Sequence, residues 1–146
     1  MHKDEILAQS WVIPSTGAEA ARICDLLLDH ARDRGFGQED LFAIHLALEE
    51  AFLNAVQHGN ASDPNKTVSI ECLLTPEKFD ISIADQGGGF DPGVIPDCRC
   101  GPNLYKTNGR GILLINSYMD IVEFNDSGNC IHLVKFRGKT SPRRHG

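Results

Sequence analysis

The sequence lacks the basic excess that nucleic acids and anionic membranes require. Its 146 residues carry 14 Lys and Arg against 20 Asp and Glu, a net charge of −6. Such a field repels phosphate polymers rather than gathering them. No apolar run is long enough to cross a bilayer. The opening MHKDEILAQS has no apolar core of a secretory signal. The expectation is a cytoplasmic protein with no direct nucleic-acid partner and no membrane. Metal-ligand spacing is also missing. The five cysteines are an odd count without a secretion signal, which points to free thiols. Cys98-Arg99-Cys100 could begin a zinc site, but no second Cys or His pair follows at the required spacing. There is no internal repeat and no linker. With 41% hydrophobic and 23% charged residues, the chain has the composition of one globular domain with a sizeable core. That domain is expected over residues 1–138, with a frayed tail over 139–146.

Residues 5–14 alternate weakly and read as a strand. Ser15, Thr16 and Gly17 offer cap chemistry for a helix from Ala18 to Arg34, which Gly35 ends. A second helix is expected from Gln38 to His58. Lys66–Leu74 and Lys78–Ala84 read as strands joined by a tight turn at Thr75-Pro76-Glu77. Gly87 to Gly109 is rich in Gly, Pro, Asn and Asp; a loop that long in a compact domain is often a lid or binding loop. A third helix over Gly111–Met119 follows, then a hairpin of Asp120–Asn125 and Cys130–Phe136. This order is not the regular alternation of a doubly wound sheet. It predicts an α+β fold, a two-layer sandwich of a mixed, mostly antiparallel sheet with helices on one face.

The second helix carries LALEEAFLNAVQH, in which polar residues interrupt a segment otherwise suited to burial. With Glu50 at zero and about 100° per residue, Asn54 falls at about 40° and His58 at about 80°. Leu41, Ile44, Leu48, Phe52 and Ala55 cluster opposite, and Leu46 and Leu53 flank the stripe. A solvent face would be broader and more charged. One reading is a surface stripe with an ordinary i, i+4 contact. The other is a pocket wall, where a carboxylate takes a proton and an amide oxygen one turn away holds a hard cation. His58 alone points more to packing or capping than to catalysis.

Two glycine segments follow. In ISIADQGGGFDP a strand runs into Asp85 and three glycines. Turn chemistry explains such a stretch, and so does a backbone passing close to a flat ligand whose exocyclic amine donates to the carboxylate. In NGRGILLI, Gly109 and Gly111 open the third helix, where N–H groups and Arg110 attract phosphate. A glycine hinge is the plainer reading. Neither segment is a GxxxxGK[ST] P-loop or a GxGxxG dinucleotide loop.

The three motifs in this order resemble the GHKL ATPase superfamily, built on the Bergerat, or histidine-kinase-like, ATPase fold. Glu50-x-x-x-Asn54 matches its N box, Asp85-x-Gly87-x-Gly89 its first glycine box and Gly109-x-Gly111 its second. The resemblance covers nearly the whole chain. Within the superfamily, ALEEAFLNAVQHGN, DQGGGFDP and GRGILLINSYMDIVEF are similar to the small anti-sigma-factor serine/threonine kinases. The resemblance implies ATP and Mg²⁺ as cofactors. It gives Asn54 to Mg²⁺, Glu50 to the proton of the incoming hydroxyl, and Asp85, Gly87 and Gly89 to adenine. Residues 90–108 become the ATP lid, and Gly109, Arg110 and Gly111 the phosphate cradle. The implied function is an anti-sigma factor that binds a sigma factor and phosphorylates a STAS-domain anti-anti-sigma antagonist. Family members commonly dimerise, so a homodimer is among the implied assemblies, and Arg22 on the first helix falls near the family's partner contacts. Many relatives carry a Thr on a late strand that supports the adenine-binding Asp; this chain has Asn129 or Cys130 there.

Three rival functions share these motifs. A detached histidine-kinase ATPase domain is the nearest, but its phospho-accepting His is usually followed by an acid. Here His30 precedes Ala31 and His45 precedes Leu46, and the expectation is that no dimerisation segment precedes the domain. An ATP-gated binding module would have no use for Glu50. A switch kinase without a sigma partner has the same motifs.

Overall fold

The computed structural model describes residues 6–61, 63–86, 118–124 and 129–138. Strand β1 (Leu7–Pro14) leads into helix α1 (Gly17–Asp33) and helix α2 (Gln38–Leu53), followed by a π-helical turn over Asn54–Gly59. Strands β2 (Thr67–Leu74), β3 (Lys78–Ala84), β4 (Ile121–Phe124) and β5 (Cys130–Phe136) complete the described elements. The sheet runs in the order β1-β2-β3-β5-β4. Every described pairing is antiparallel, so the sheet is antiparallel throughout where a mixed one was allowed for. The two-layer α+β architecture is as expected. The third helix falls almost wholly outside the described residues, as do the lid and the tail.

Local chemistry sets the first helix. The Thr16 hydroxyl accepts the Glu19 N–H at 3.3 Å, a side-chain N-cap. Gly35, at φ +95°, takes the left-handed turn that stops the helix. Ala20, Ile23, Cys24, Leu27 and Ala31 form its buried stripe. The sheet answers with alternate residues: Val68, Ile70, Cys72 and Leu74 on β2, Phe79, Ile81 and Ile83 on β3, and Ile131 and Leu133 on β5. This period of two puts one face of each strand into the core beneath the helices.

Helix α2 is fixed at its N-terminal end by a buried charge cluster. Lys135 Nζ lies 3.9 Å from both Asp40 Oδ1 and Asp120 Oδ2. Asp40 Oδ2 also accepts the Gly138 N–H at 2.8 Å, and Asp120 Oδ2 the Phe136 N–H at 2.7 Å. The first turn of α2 is thereby tied to the end of β5.

The other face of the sheet holds a second polar network. His132 Nε2 is 2.8 Å from Asp80 Oδ1, and its Nδ1 is 2.9 Å from Glu123 Oε1. Carboxylates only accept, so an imidazolium satisfies both contacts. Lys78 Nζ adds a cation 3.5 Å from Asp80. Strands β3, β5 and β4 are thus joined by charge as well as by their ladders. His132→Ala is expected to destabilise the fold by about 3–5 kcal/mol, the usual cost of removing one partner from a buried charge network. Urea unfolding of the two proteins checks this; a change within experimental error would show the network to be incidental.

Burial also governs two thiols. Cys24 and Cys72 are free and buried. Desolvation pushes both up to about 12 from the ordinary 9.0, helped at Cys24 by Glu49 and Asp25 and at Cys72 by Asp80, with Arg34 opposing. Cys130 differs from the free-thiol expectation, since it is disulfide-bonded. The unfolded thiols ionise near pH 9.0 while the folded ones stay protonated to about 12. Stability from this source is complete below pH 9 and declines as pH rises toward 12. The slope is about 1.4 kcal/mol per pH unit per thiol. A Cys24→Ala, Cys72→Val variant should therefore lose stability less steeply than the parent between pH 9 and 11. Parallel slopes in urea unfolding would refute this.

Candidate active site

The candidate site forms where α2 ends. A stripe of small residues, Ala43, Ala47, Ala51 and Ala55, lies buried along the helix. Ala51 and Ala55 line a cavity of about 30 Å³ together with Asn54, Ile83, Asp85, Phe124, Asn129, Cys130 and Ile131. Alanines make room there that larger side chains would fill. Asn54 and Asp85, 31 positions apart in sequence (85 − 54), thus share one cavity wall.

The expected continuous helix to His58 is not what forms. After Leu53 the backbone widens into the π turn of Asn54–Gly59, and the Asn60 N–H bonds to the Ala55 carbonyl at 2.9 Å, five residues back. Single π turns inside helices are frequent at functional sites. The ideal wheel therefore holds from Glu50 to Asn54 and not beyond. The side chain of His58 lies outside what the structure describes. Leu53, expected to border the stripe, is 42% exposed.

Glu50 and Asn54 are both half-buried. Neither side chain has a hydrogen-bond or ion-pair partner among the described residues. Glu50 lines a separate and larger cavity, about 750 Å³, between α1 and α2, with Thr16, Cys24, Asp25, Glu49 and Leu53 among its walls. Glu50 is one turn of helix before the asparagine but is not among the residues lining the cavity that Asn54 and Asp85 share. Arg22 is exposed on α1, its guanidinium held 2.9 Å from Glu19 Oε1.

Asp85 sits just past the end of β3 and is 7% exposed. Its N–H bonds to the Asn129 carbonyl at 2.8 Å. Asn129 and Cys130, the two candidates for the late-strand support, both line the cavity with Asp85. The bond from Asp85 to Asn129 joins the two backbones and does not involve the Asp85 carboxylate. Gly87, Gly89, Gly109, Arg110, Gly111, Cys98 and Cys100 lie outside the described residues.

The sequence reading passed over Gly59, Asn60 and Gln86, which pack around Asp85. A Cβ built on Gly59 would fall on the Asp85 carboxylate. Asn60 is fully buried and hydrogen-bonded to Ser15, Thr67 and Gln86. The signal available in sequence was the Gly-Asn pair directly after the polar stripe.

The donor set fits a nucleotide with a hard cation. Among the described residues Asn54 has an amide oxygen and Glu50 a carboxylate without a partner, and Asp85 is buried beside small residues. Mg²⁺ retains most of its waters and takes few protein ligands, so a single amide plus phosphates suits it. Among the described residues no helix is long and apolar enough to cross a membrane.

Residues 13–135 match the sequence profile of the histidine kinase-like ATPase domain. The chain belongs to that family, the superfamily its motifs resemble. Its relatives narrow the branch. It is 30% identical over 108 residues to the anti-sigma F factor of Oceanobacillus iheyensis, covering 70% of this chain and 73% of that protein. It is 31% identical over 116 residues to the serine-protein kinase RsbW of Bacillus licheniformis, covering 73% and 71% respectively. Against RsbW of Halalkalibacterium halodurans the figures are 33% over 110 residues, with 70% and 66% covered. The branch is that of the anti-sigma-factor serine kinases. A crystal structure of the RsbU and RsbW domains of a Mycobacterium tuberculosis protein shares the fold. Its TM-score is 0.62 at 15% identity over 92% of this chain, which spans 34% of that longer chain.

Proposed function

We propose that this protein is an ATP-dependent serine/threonine kinase and anti-sigma factor. It binds a sigma factor and phosphorylates a STAS-domain anti-anti-sigma antagonist. One observation carries the catalytic part: the Glu50 carboxylate, without a partner among the described residues, stands one turn before Asn54, and Asn54 shares its cavity with Asp85. The relatives' names, anti-sigma F factor and serine-protein kinase RsbW, support the partner classes.

In this reading Asp85 accepts a hydrogen bond from the exocyclic amine of adenine. Asn54 holds Mg²⁺, which when bound neutralises phosphate charge. Glu50 accepts the proton of the serine or threonine hydroxyl as its oxygen bonds to the γ-phosphorus. The bond from that phosphorus to the ADP oxygen breaks, and ADP leaves. Gly87 and Gly89 let adenine approach, and Gly109, Arg110 and Gly111 cradle the phosphates. Positioning and charge supply most of the rate in such transfers.

The test is ³²P transfer from ATP to each STAS-domain protein encoded by the source genome, with sigma-factor capture measured in parallel. Transfer to a serine or threonine of one of them, with ATP-dependent sigma binding, is the expected result. Sigma binding without transfer would favour an ATP-gated binding module. Transfer without sigma binding would favour a switch kinase acting elsewhere.

A further inference from the structure

We propose that Gly59 and Asn60 are positioning residues that set which base the nucleotide site accepts. Gly59 leaves the space that the Asp85 carboxylate fills, and Asn60 anchors the chain directly after it. The inference rests on the kinase reading in one respect, that Asp85 faces a base.

The geometry around Asp85 is over-determined for a loop residue. On one side its own N–H bonds to the Asn129 carbonyl at 2.8 Å. On the other, the next N–H, that of Gln86, bonds to Asn60 Oδ1 at 2.7 Å. The Gln86 side chain is held as well, its Oε1 accepting the Thr67 N–H at 2.6 Å and the Thr67 hydroxyl at 3.2 Å. Asn60 uses its amide nitrogen elsewhere, donating to Ser15 Oγ and to the Thr67 carbonyl, both at 2.9 Å. All of its polar atoms are engaged at zero exposure. One buried amide therefore joins the end of the π turn, the β1–α1 junction, the start of β2 and the residue after Asp85.

Gly59 acts by absence. Its φ is not positive, so the backbone itself does not require glycine. What requires it is contact, because a Cβ would overlap the Asp85 carboxylate. Helix end and carboxylate are packed as a unit, and the π turn brings them there. The same turn begins at Asn54, so the cation end and the base end of the site share one short piece of backbone. Base recognition depends on where the Asp85 oxygens point, and these neighbours decide that.

The experiment compares ATP with GTP, whose base presents a carbonyl where adenine has its amine. Affinity for Mg²⁺-tripolyphosphate, which has no base, is measured beside them. The parent should prefer ATP. Gly59→Ala and Asn60→Ala should each lose roughly 10-fold or more of that preference, the size of one misplaced hydrogen bond, with tripolyphosphate affinity unchanged. Ser15→Ala breaks only an outer contact of Asn60 and should keep the preference. A thermal comparison covers variants that fold poorly. Gly59→Ala should lower Tm when Asp85 is present and not in an Asp85→Ala background. Full ATP preference in both variants, or an equal Tm loss in both backgrounds, would overturn the assignment and leave the kinase reading intact. A parent that binds neither nucleotide would overturn both.

Discussion

Glu50→Gln lowers phosphoryl transfer by roughly 10²–10⁴-fold, the range typical of losing a general base, while ATP affinity stays near the parental value. The amide keeps the size of the carboxylate and most of its hydrogen bonding, but it cannot take a proton at neutral pH. Glu50 has no partner among the described residues whose loss would disturb the fold, so the change should be confined to chemistry. The kinetic signature is a fall in kcat with little change in nucleotide affinity. ³²P transfer to the STAS acceptor, with calorimetric ATP binding, reads both. Transfer at the parental rate would remove Glu50 from the role of base.

Asp85→Asn is expected to weaken ATP by roughly 10- to 100-fold, in line with the about 1–3 kcal/mol cost of a mismatched buried polar group. A carboxylate accepts with both oxygens, whereas an amide must place an NH₂ group where one oxygen was. The packing against Gly59 and the fixed backbone at Gln86 restrict any rearrangement that would relieve the mismatch. Asn54→Ala separates the two ends of the site. It should reduce only the Mg²⁺-dependent part of ATP binding, whereas Asp85→Asn should reduce binding with and without the cation. Calorimetry in Mg²⁺ and in EDTA distinguishes them. Equal ATP affinity for the Asp85 variant and the parent would show that base recognition lies elsewhere.

Much of this protein was set locally and could be read from its sequence. The Thr16 cap and the left-handed Gly35 bound α1 because each needs only its own neighbours. The β2–β3 turn is similar: Thr75 bonds to Lys78, and its hydroxyl accepts the Glu77 and Lys78 N–H groups. Turn residues bounded β2, β3 and β5 in the sequence, and in the structure their core-facing residues repeat with a period of two. The places of Glu50 and Asn54 one helical turn apart and of Asp85 at a strand end were legible for the same reason, since each sits at a fixed offset within or beside its own element. The tertiary structure decided what depends on distant partners. The helix was expected to run to His58, but propensity does not register the bonds that Asn60 makes to Ser15, Thr67 and Gln86, and these accompany the π turn. The His132 network joins three strands whose order, β3-β5-β4, is not their order in the chain. The φ of Gly59 is not positive, and it is glycine because an aspartate 26 positions later (85 − 59) fills the space a side chain would take.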